Sequence, residues 1–134
     1  LLEGKSKLKS VQRLIIQPNN KEFKVRETLI ELDFILTKEL MIEENKLIYE
    51  ILIAENKTTT ERKQPYEEKL YEKQLLFGPY LLREKSPLFI KKWQKERDNV
   101  IHTIEQMKRS KSDDIQQKIG AFTKKINWIE EVLS

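Results

Sequence analysis

Few residues in this sequence have the type and spacing that enzymatic chemistry requires. His102 is the single histidine and there is no cysteine, which excludes thiolate sites and multi-histidine zinc sites within the chain. His102 lies off the apolar seam of its helix, so we interpret it as a surface residue. Acidic residues occur in adjacent pairs, which diverge by about 100° on a helix, whereas acid–base pairs must converge across a cleft. The following pairs are interpreted as solvated helix faces: Glu43-Glu44, Glu67-Glu68, Asp113-Asp114 and Glu130-Glu131.

A short segment near the beginning of the chain matches the last residues of a phosphate-binding loop. Such a loop needs an earlier glycine and a preceding buried strand in addition to Gly4-Lys5-Ser6, and the sequence shows neither pattern. We therefore interpret the match as chance. Because no catalytic residue, metal ligand set or cofactor site is predicted, the sequence indicates a protein that is not an enzyme and takes no cofactor.

Aromatic residues are concentrated between positions 66 and 93 and could form a binding surface. The cluster comprises Tyr66, Tyr71, Phe77, Tyr80, Phe89 and Trp93. One interpretation is a core corner where two helices turn back on each other. The other is a partly exposed pocket for a partner protein, since tyrosine and tryptophan are favoured as interface anchors. The candidate partner-binding residues are Tyr80, Phe89, Trp93 and, at the edge of the last helix's seam, Trp128.

Basic residues run beside this aromatic cluster and suggest an alternative ligand. Basic side chains interleaved with aromatic rings are what single-stranded nucleic acid requires. Acidic residues at 84, 96 and 98 interrupt the run, so nucleic-acid binding is the second hypothesis. Its candidate residues are Arg83, Lys85, Lys91, Lys92, Lys95 and Arg97.

The elements that position these residues are predicted to be helices. Charged residues make up 36% of the chain, and only 3 glycines and 4 prolines are present, a balance that suits long helices with a narrow buried stripe. We predict a short first helix over residues 6–16. The longest helix should span about 20–55, because Val25, Leu36 and Leu47 recur every eleven residues, which is typical of a straight helix.

Three further helices are predicted from their boundary residues and apolar spacing. One runs from about Pro65 to Phe77, ended by Gly78-Pro79. The next starts at Ser86-Pro87, a serine cap followed by a proline in the first turn, and extends to about Met107. The last has a heptad seam of alternating four- and three-residue spacings. That seam consists of Ile115, Ile119, Phe122, Ile126, Ile129 and Leu133.

Together these elements predict an all-α fold: an antiparallel bundle of four to five helices around the 20–55 spine helix. We expect residues 1–134 to form a single domain that is a fragment of a longer chain. No apolar run approaches 18 residues, so no membrane span is expected, and the absence of cysteine favours an intracellular location, cytoplasmic or nuclear.

The sequence alone favours a non-catalytic protein–protein interaction module, such as a scaffold, an adaptor or a co-chaperone-like domain. Its partner would be another protein of unknown identity, with oligomerisation left open. The alternative is a nucleic-acid-associated helical domain that binds through the basic residues of the 83–111 region.

Overall fold

The computed structural model describes residues 10–110 and 114–134. Within them, the strands are β1 (Arg13–Ile16), β2 (Phe34–Glu44) and β3 (Leu47–Asn56). The helices are α1 (Glu22–Glu31), α2 (Tyr71–Phe77), α3 (Pro79–Glu84), α4 (Pro87–Met107) and α5 (Ile115–Leu133). Two short 3₁₀ turns lie at Lys57–Thr59 and Glu68–Leu70. The chain divides into two compact units, Leu1–Lys85 and Ser86–Ser134, and the single-domain expectation for 1–134 stays a prediction.

The predicted spine helix over 20–55 is wrong, and with it the all-α bundle. Helix α1 ends at Glu31, and Asp33 then takes a left-handed φ of 61°. A β-hairpin follows, whose two turn residues, Asn45 and Lys46, have φ values of 53° and 67°, as a two-residue type I′ turn requires. The eleven-residue spacing of Val25, Leu36 and Leu47 did not indicate one helix, because these residues lie in α1, β2 and β3 respectively.

The three strands form one antiparallel sheet in the order β1-β3-β2. Strands β1 and β2 therefore run in the same direction, with α1 as the helical connection between them and β3 inserted in the middle. Ile16, the last residue of β1, lies opposite Leu52, which on its other side pairs with Glu39 of β2. The hairpin continues beyond this level to the Glu44–Leu47 pair. The carboxyl end of β1 thus lies beside the middle of the hairpin.

The core of the first unit is built on one face of this sheet. Leu36, Leu52 and Ala54 are buried there against Leu29 and Leu32, with Phe34 completing the cluster. Fully burying such a side chain stabilises the fold by about 1.5–3 kcal/mol. The first predicted helix is also wrong where it can be examined, since residues 13–16 form strand β1. Its beginning lies outside the described residues.

The predicted helix from Pro65 to Phe77 is correct only in its second half. Helix α2 starts at Tyr71, after the 3₁₀ turn, and ends at Phe77 with Gly78 at a φ of 89°. Pro79 does not simply stop the chain but opens a further helix, α3, as its first residue. Proline is tolerated there because the first helical N–H has no partner to lose.

The second unit consists of α4 and α5, and both predicted helices are confirmed. Ser86 caps α4, because its Oγ accepts a hydrogen bond from the Phe89 N–H at 3.3 Å. Lys125 Nζ of α5 lies 3.0 Å from Glu96 Oε1 of α4, as expected for two antiparallel helices that pack along their apolar seams. No helix in the described part of the chain is long and apolar enough to cross a membrane.

Candidate functional site

The turn after β1 marks the edge of the sheet where a ligand is expected. In sheets whose parallel strands are joined by helices, ligands bind outside the carboxyl ends of the strands. Strand β1 runs into residues 17–20, in which Pro18 is buried and Asn20 has a φ of 69°. Because Glu39 lies at the level of Ile16 across the sheet, side chains around Glu39 belong to this same edge.

A buried charge network lies at this edge. The Arg26 side chain is fully buried, as are those of Glu39 and Glu50. Arg26 Nε donates a hydrogen bond to Glu39 Oε2 at 2.8 Å, and Arg26 Nη2 donates one to Glu50 Oε1 at 2.5 Å. Burial of a charge is tolerated only when it is paired and hydrogen-bonded. The network therefore fixes α1 to both strands of the hairpin.

The same two charges also bind the bend between α2 and α3, residues 74–81, which we call the elbow. Arg26 Nη1 donates to the Leu75 carbonyl at 3.1 Å, near the carboxyl end of α2. Glu39 Oε1 accepts the N–H groups of Tyr80 at 2.8 Å and Leu81 at 3.2 Å, at the amino end of α3. A cation at a helix carboxyl end and an anion at an amino end both match the helix dipoles.

Gly78 is required at the centre of the elbow for two reasons. Its φ of 89° is a conformation that L side chains rarely adopt. A Cβ atom there would also lie 2.5 Å from Arg26 Nη2 and 2.7 Å from Glu39 Oε2. The close approach of the charged pair thus leaves no room for any side chain.

The pKa values of Arg26 and Glu39 are shifted by their burial and by the charges that face them. Burial raises the pKa of the Glu39 carboxyl, while Arg26 and the Tyr80 and Leu81 N–H groups act to lower it. For Arg26, burial lowers the pKa, but the attraction of Glu50 and Glu39 outweighs it and the pKa is raised. The burial of the Glu39 carboxylate therefore outweighs the attraction of Arg26 in setting the direction of its pKa shift.

Three tyrosines gather around the elbow. The Tyr80 hydroxyl donates to the Leu36 carbonyl at 2.9 Å. The rings of Tyr66 and Tyr71 meet edge to face, with centroids 5.7 Å apart. Burial strongly raises the pKa of Tyr66, whereas Tyr71 is 37% exposed. Of these three tyrosines, Tyr71 is therefore the exposed one, and its ring packs on that of Tyr66.

The structure places the predicted partner-binding aromatics in different settings. Tyr80 is half-buried on the elbow of the first unit. Phe89 and Trp93 are buried in the second unit, with exposed fractions of 0% and 3%, and the Lys92 ammonium lies 5.0 Å from the Trp93 ring centroid. Trp128 is half-buried on α5. Their role in partner binding stays a prediction.

The basic residues predicted to contact nucleic acid lie mainly on exposed surface. Lys91 and Lys95 are one helical turn apart on α4 and both are exposed, while Arg97 is half-buried. In the first unit, Arg83 and Lys85 are exposed at the end of α3. Their binding role also stays a prediction.

Two further features bear on the chemistry of the described residues: possible metal-ligand groups and the single histidine. Nowhere in 10–110 and 114–134 do three or more His, Cys, Asp or Glu side chains form a group that could hold a metal ion. His102 is exposed, as predicted, and its Nε2 lies 3.2 Å from Gln106 Nε2.

Sequence reasoning missed the network of Arg26, Glu39 and Glu50 altogether, because residues 13 and 24 positions apart give no local signal.

Comparison with known proteins identifies the family. A family model described as TrmK, tRNA (adenine(22)-N(1))-methyltransferase, matches residues 1–131. A protein of Bacillus subtilis (strain 168) with the same description is 31% identical over 131 residues, which is 97% of this chain and 54% of that protein. The chain therefore spans about half the length of the curated relative it matches.

Solved structures agree with this assignment. The crystal structure of the B. subtilis tRNA methyltransferase TrmK superposes with a TM-score of 0.85 at 31% identity, over 100% of this chain and 56% of that one. A Streptococcus pneumoniae structure in complex with S-adenosyl-L-methionine gives 0.74 at 34% identity, over 100% and 53%. A Streptococcus agalactiae protein assigned to the NADB-Rossmann superfamily gives 0.79 at 28% identity, over 100% and 53%.

These likenesses correct three expectations from the sequence. The fold is Rossmann-like, of the methyltransferase type, with a three-stranded sheet plus helices in the described part of the chain, and not a helical bundle. The relatives are methyltransferases, so the interpretation as a non-catalytic scaffold or adaptor is wrong, as is the exclusion of an enzyme. The chain belongs to the tRNA (adenine(22)-N(1))-methyltransferase family.

Proposed function

We propose that this protein transfers a methyl group from S-adenosyl-L-methionine to N1 of adenine 22 in tRNA. The family match over residues 1–131, together with 31% identity to the B. subtilis enzyme, carries the proposal. The S. pneumoniae relative's complex with S-adenosyl-L-methionine supports that compound as the methyl donor. A tRNA substrate also favours a cytoplasmic location, one of the two expected from the sequence.

The described residues do not include a glycine-rich turn of the kind that binds such a donor. Nucleotide-type cofactors in such sheets bind where a glycine-rich turn follows a strand and opens a helix. In the described residues, glycine occurs only at Gly78 and Gly120, and neither follows a strand. S-adenosyl-L-methionine supplies the methyl group when it is bound.

The basic residues proposed for nucleic acid fit an enzyme that holds tRNA. Neutralising backbone phosphates with lysine and arginine supplies much of the affinity of proteins for nucleic acids. The exposed pair Lys91 and Lys95 on α4 can follow a phosphate backbone, and Arg83 and Lys85 can do so on the first unit. The nucleic-acid hypothesis is therefore retained for these residues as part of a catalytic protein and not as a separate binding module.

A position-specific methylation assay tests the proposal. The full-length protein is incubated with radiolabelled S-adenosyl-L-methionine and either a tRNA transcript with adenine at position 22 or a matched transcript with guanine there. We expect label only in the adenine transcript, and a reverse-transcription stop at position 22, because an N1 methyl group blocks Watson–Crick pairing. Equal labelling of both transcripts, or of neither, would show that the proposal is wrong.

A further inference from the structure

Tyr71 is an aromatic residue whose side chain is partly exposed to solvent and not buried in the core. It is the first residue of α2 and 37% of it is exposed. Its ring packs at 77° against the ring of Tyr66, which itself packs against the core cluster. At the other end of α2, Arg26 binds the Leu75 carbonyl. The ring of Tyr71 is thus presented on a short helix that is fixed at both ends.

Exposed cations lie near Tyr80, the third tyrosine at the elbow. Arg62 Nη2 donates to the Tyr80 hydroxyl at 3.4 Å, and Arg62 and Arg83 are both close enough to lower the pKa of Tyr80, although burial raises it more. Tyr66 and Tyr80 both pack against the core cluster of the first unit. Arg62 and Arg83 are exposed. We call the set Tyr66, Tyr71, Tyr80, Arg62 and Arg83 the tyrosine patch.

The patch lies at the edge of the sheet where a substrate is expected. The Tyr80 N–H donates to Glu39 Oε1 at 2.8 Å, and Glu39 lies at the level of the last residue of β1. Aromatic rings combined with nearby cations are the means by which proteins hold unpaired nucleotides, since the ring stacks on the base and the cations meet the phosphates.

We propose that the tyrosine patch binds an unpaired nucleotide of the RNA substrate, with its base stacked on Tyr71 and its phosphates near Arg62 and Arg83. This inference rests on the proposed function for the identity of the ligand as RNA. N1 of adenine takes part in Watson–Crick pairing. A base that is methylated there must therefore first separate from its pairing partner and from the bases on which it stacks. The exposed ring of Tyr71 compensates for the stacking that the base loses.

The test measures RNA binding directly, so it does not depend on methylation. Fluorescence anisotropy of a labelled single-stranded oligoadenylate is titrated with the full-length protein and with three variants: Tyr71→Ala, Tyr71→Phe and Tyr49→Ala. Tyr49 is the matched control because it lies on β3, on the sheet face opposite Glu50 and Leu52. We expect Tyr71→Ala to weaken binding about tenfold, while Tyr71→Phe and Tyr49→Ala bind as the wild type does.

Companion measurements separate stacking from folding and from the proposed reaction. Circular dichroism melts should show equal stability of the Tyr71→Ala and Tyr71→Phe variants to within a few degrees. In the methylation assay, Tyr71→Ala should raise KM for tRNA and leave KM for S-adenosyl-L-methionine unchanged. Unchanged oligoadenylate binding by Tyr71→Ala, or no binding by the wild type, overturns the inference. If binding behaves as expected but no tRNA is methylated, the proposed function fails and the nucleotide-binding patch stands.

Discussion

Nη2 of Arg26 lies 2.7 Å from Oε2 of Glu39, and both side chains are fully out of solvent. The pair connects α1 to strand β2 of the hairpin across 13 residues of sequence. It also reaches the carbonyl end of one elbow helix and the amide end of the next. One ion pair therefore determines where three helices sit on the sheet.

Removing the cation of this pair should be costly. In Arg26→Met the side chain keeps most of its volume, but the buried Glu39 and Glu50 lose the guanidinium that pairs with both of them. Breaking a buried pair in this way destabilises a protein by about 3–5 kcal/mol, a large part of a typical total of about 5–15 kcal/mol. Urea unfolding measures the loss. Lys24→Ala, which breaks an exposed pair with Glu27, is the control and should shift the midpoint far less; equal shifts would contradict the assigned role of Arg26.

The two described glycines should respond in opposite directions to alanine. Gly78→Ala meets Arg26 Nη2 at 2.5 Å and needs a φ of 89°, and the left-handed backbone alone costs about 1–2 kcal/mol. Gly120→Ala, in the middle of α5, meets nothing within 4 Å and should stabilise the helix by about 0.5–1 kcal/mol. Thermal melts of the two variants provide the comparison. A stable Gly78→Ala variant would show that the elbow can be rebuilt around a side chain.

Trp93 should contribute mainly to the stability of the fold and not to a binding interface. It is 3% exposed on α4, and its ring centroid lies 6.3 Å from that of Phe89. Truncation of a buried tryptophan costs about 3–5 kcal/mol, so we expect Trp93→Ala to unfold at much lower urea concentration than the wild type. Trp128→Ala, at a half-buried position of α5, should lose clearly less. Equal and small losses at both positions would favour a surface role for Trp93.

Lys91 and Lys95 should set part of the salt dependence of tRNA binding. Each lysine that contacts a phosphate contributes about one to the slope of log affinity against log salt concentration. The double variant Lys91→Ala/Lys95→Ala should therefore reduce that slope by about two and weaken binding at physiological salt. The control removes the same charge from the first unit, as Lys24→Ala/Lys57→Ala. If both double variants change the slope equally, net charge and not a phosphate track governs binding.

Local signals were sufficient to predict the second unit. Ser86 and Pro87 define the start of α4 through a side-chain cap and a fixed φ, and neither effect needs a distant partner. The seam of α5 repeats within a single helix, so its periodicity is preserved in the structure. Sequence reading succeeded where the determining interactions lie within one or two helical turns.

The hairpin and the buried network could not be recognised in the same way. The turn residues Asn45 and Lys46 lack the glycine that usually marks a type I′ turn. Strand β2 is buried continuously from Phe34 to Thr37 and then shifts register before Lys38, so it shows no clean alternation. Arg26 reads as an ordinary charged helix residue, because only the folded sheet brings Glu39 and Glu50 to it.

The position of β1 at the border of the described sheet has a practical consequence. Within the described residues β1 pairs only with β3, which leaves the backbone groups along its other side without a strand partner, and Ile15 on that strand is 69% exposed. Open strand borders of this kind recruit other chains and promote aggregation. The purified protein should therefore associate as its concentration rises, and binding assays are best performed on dilute protein.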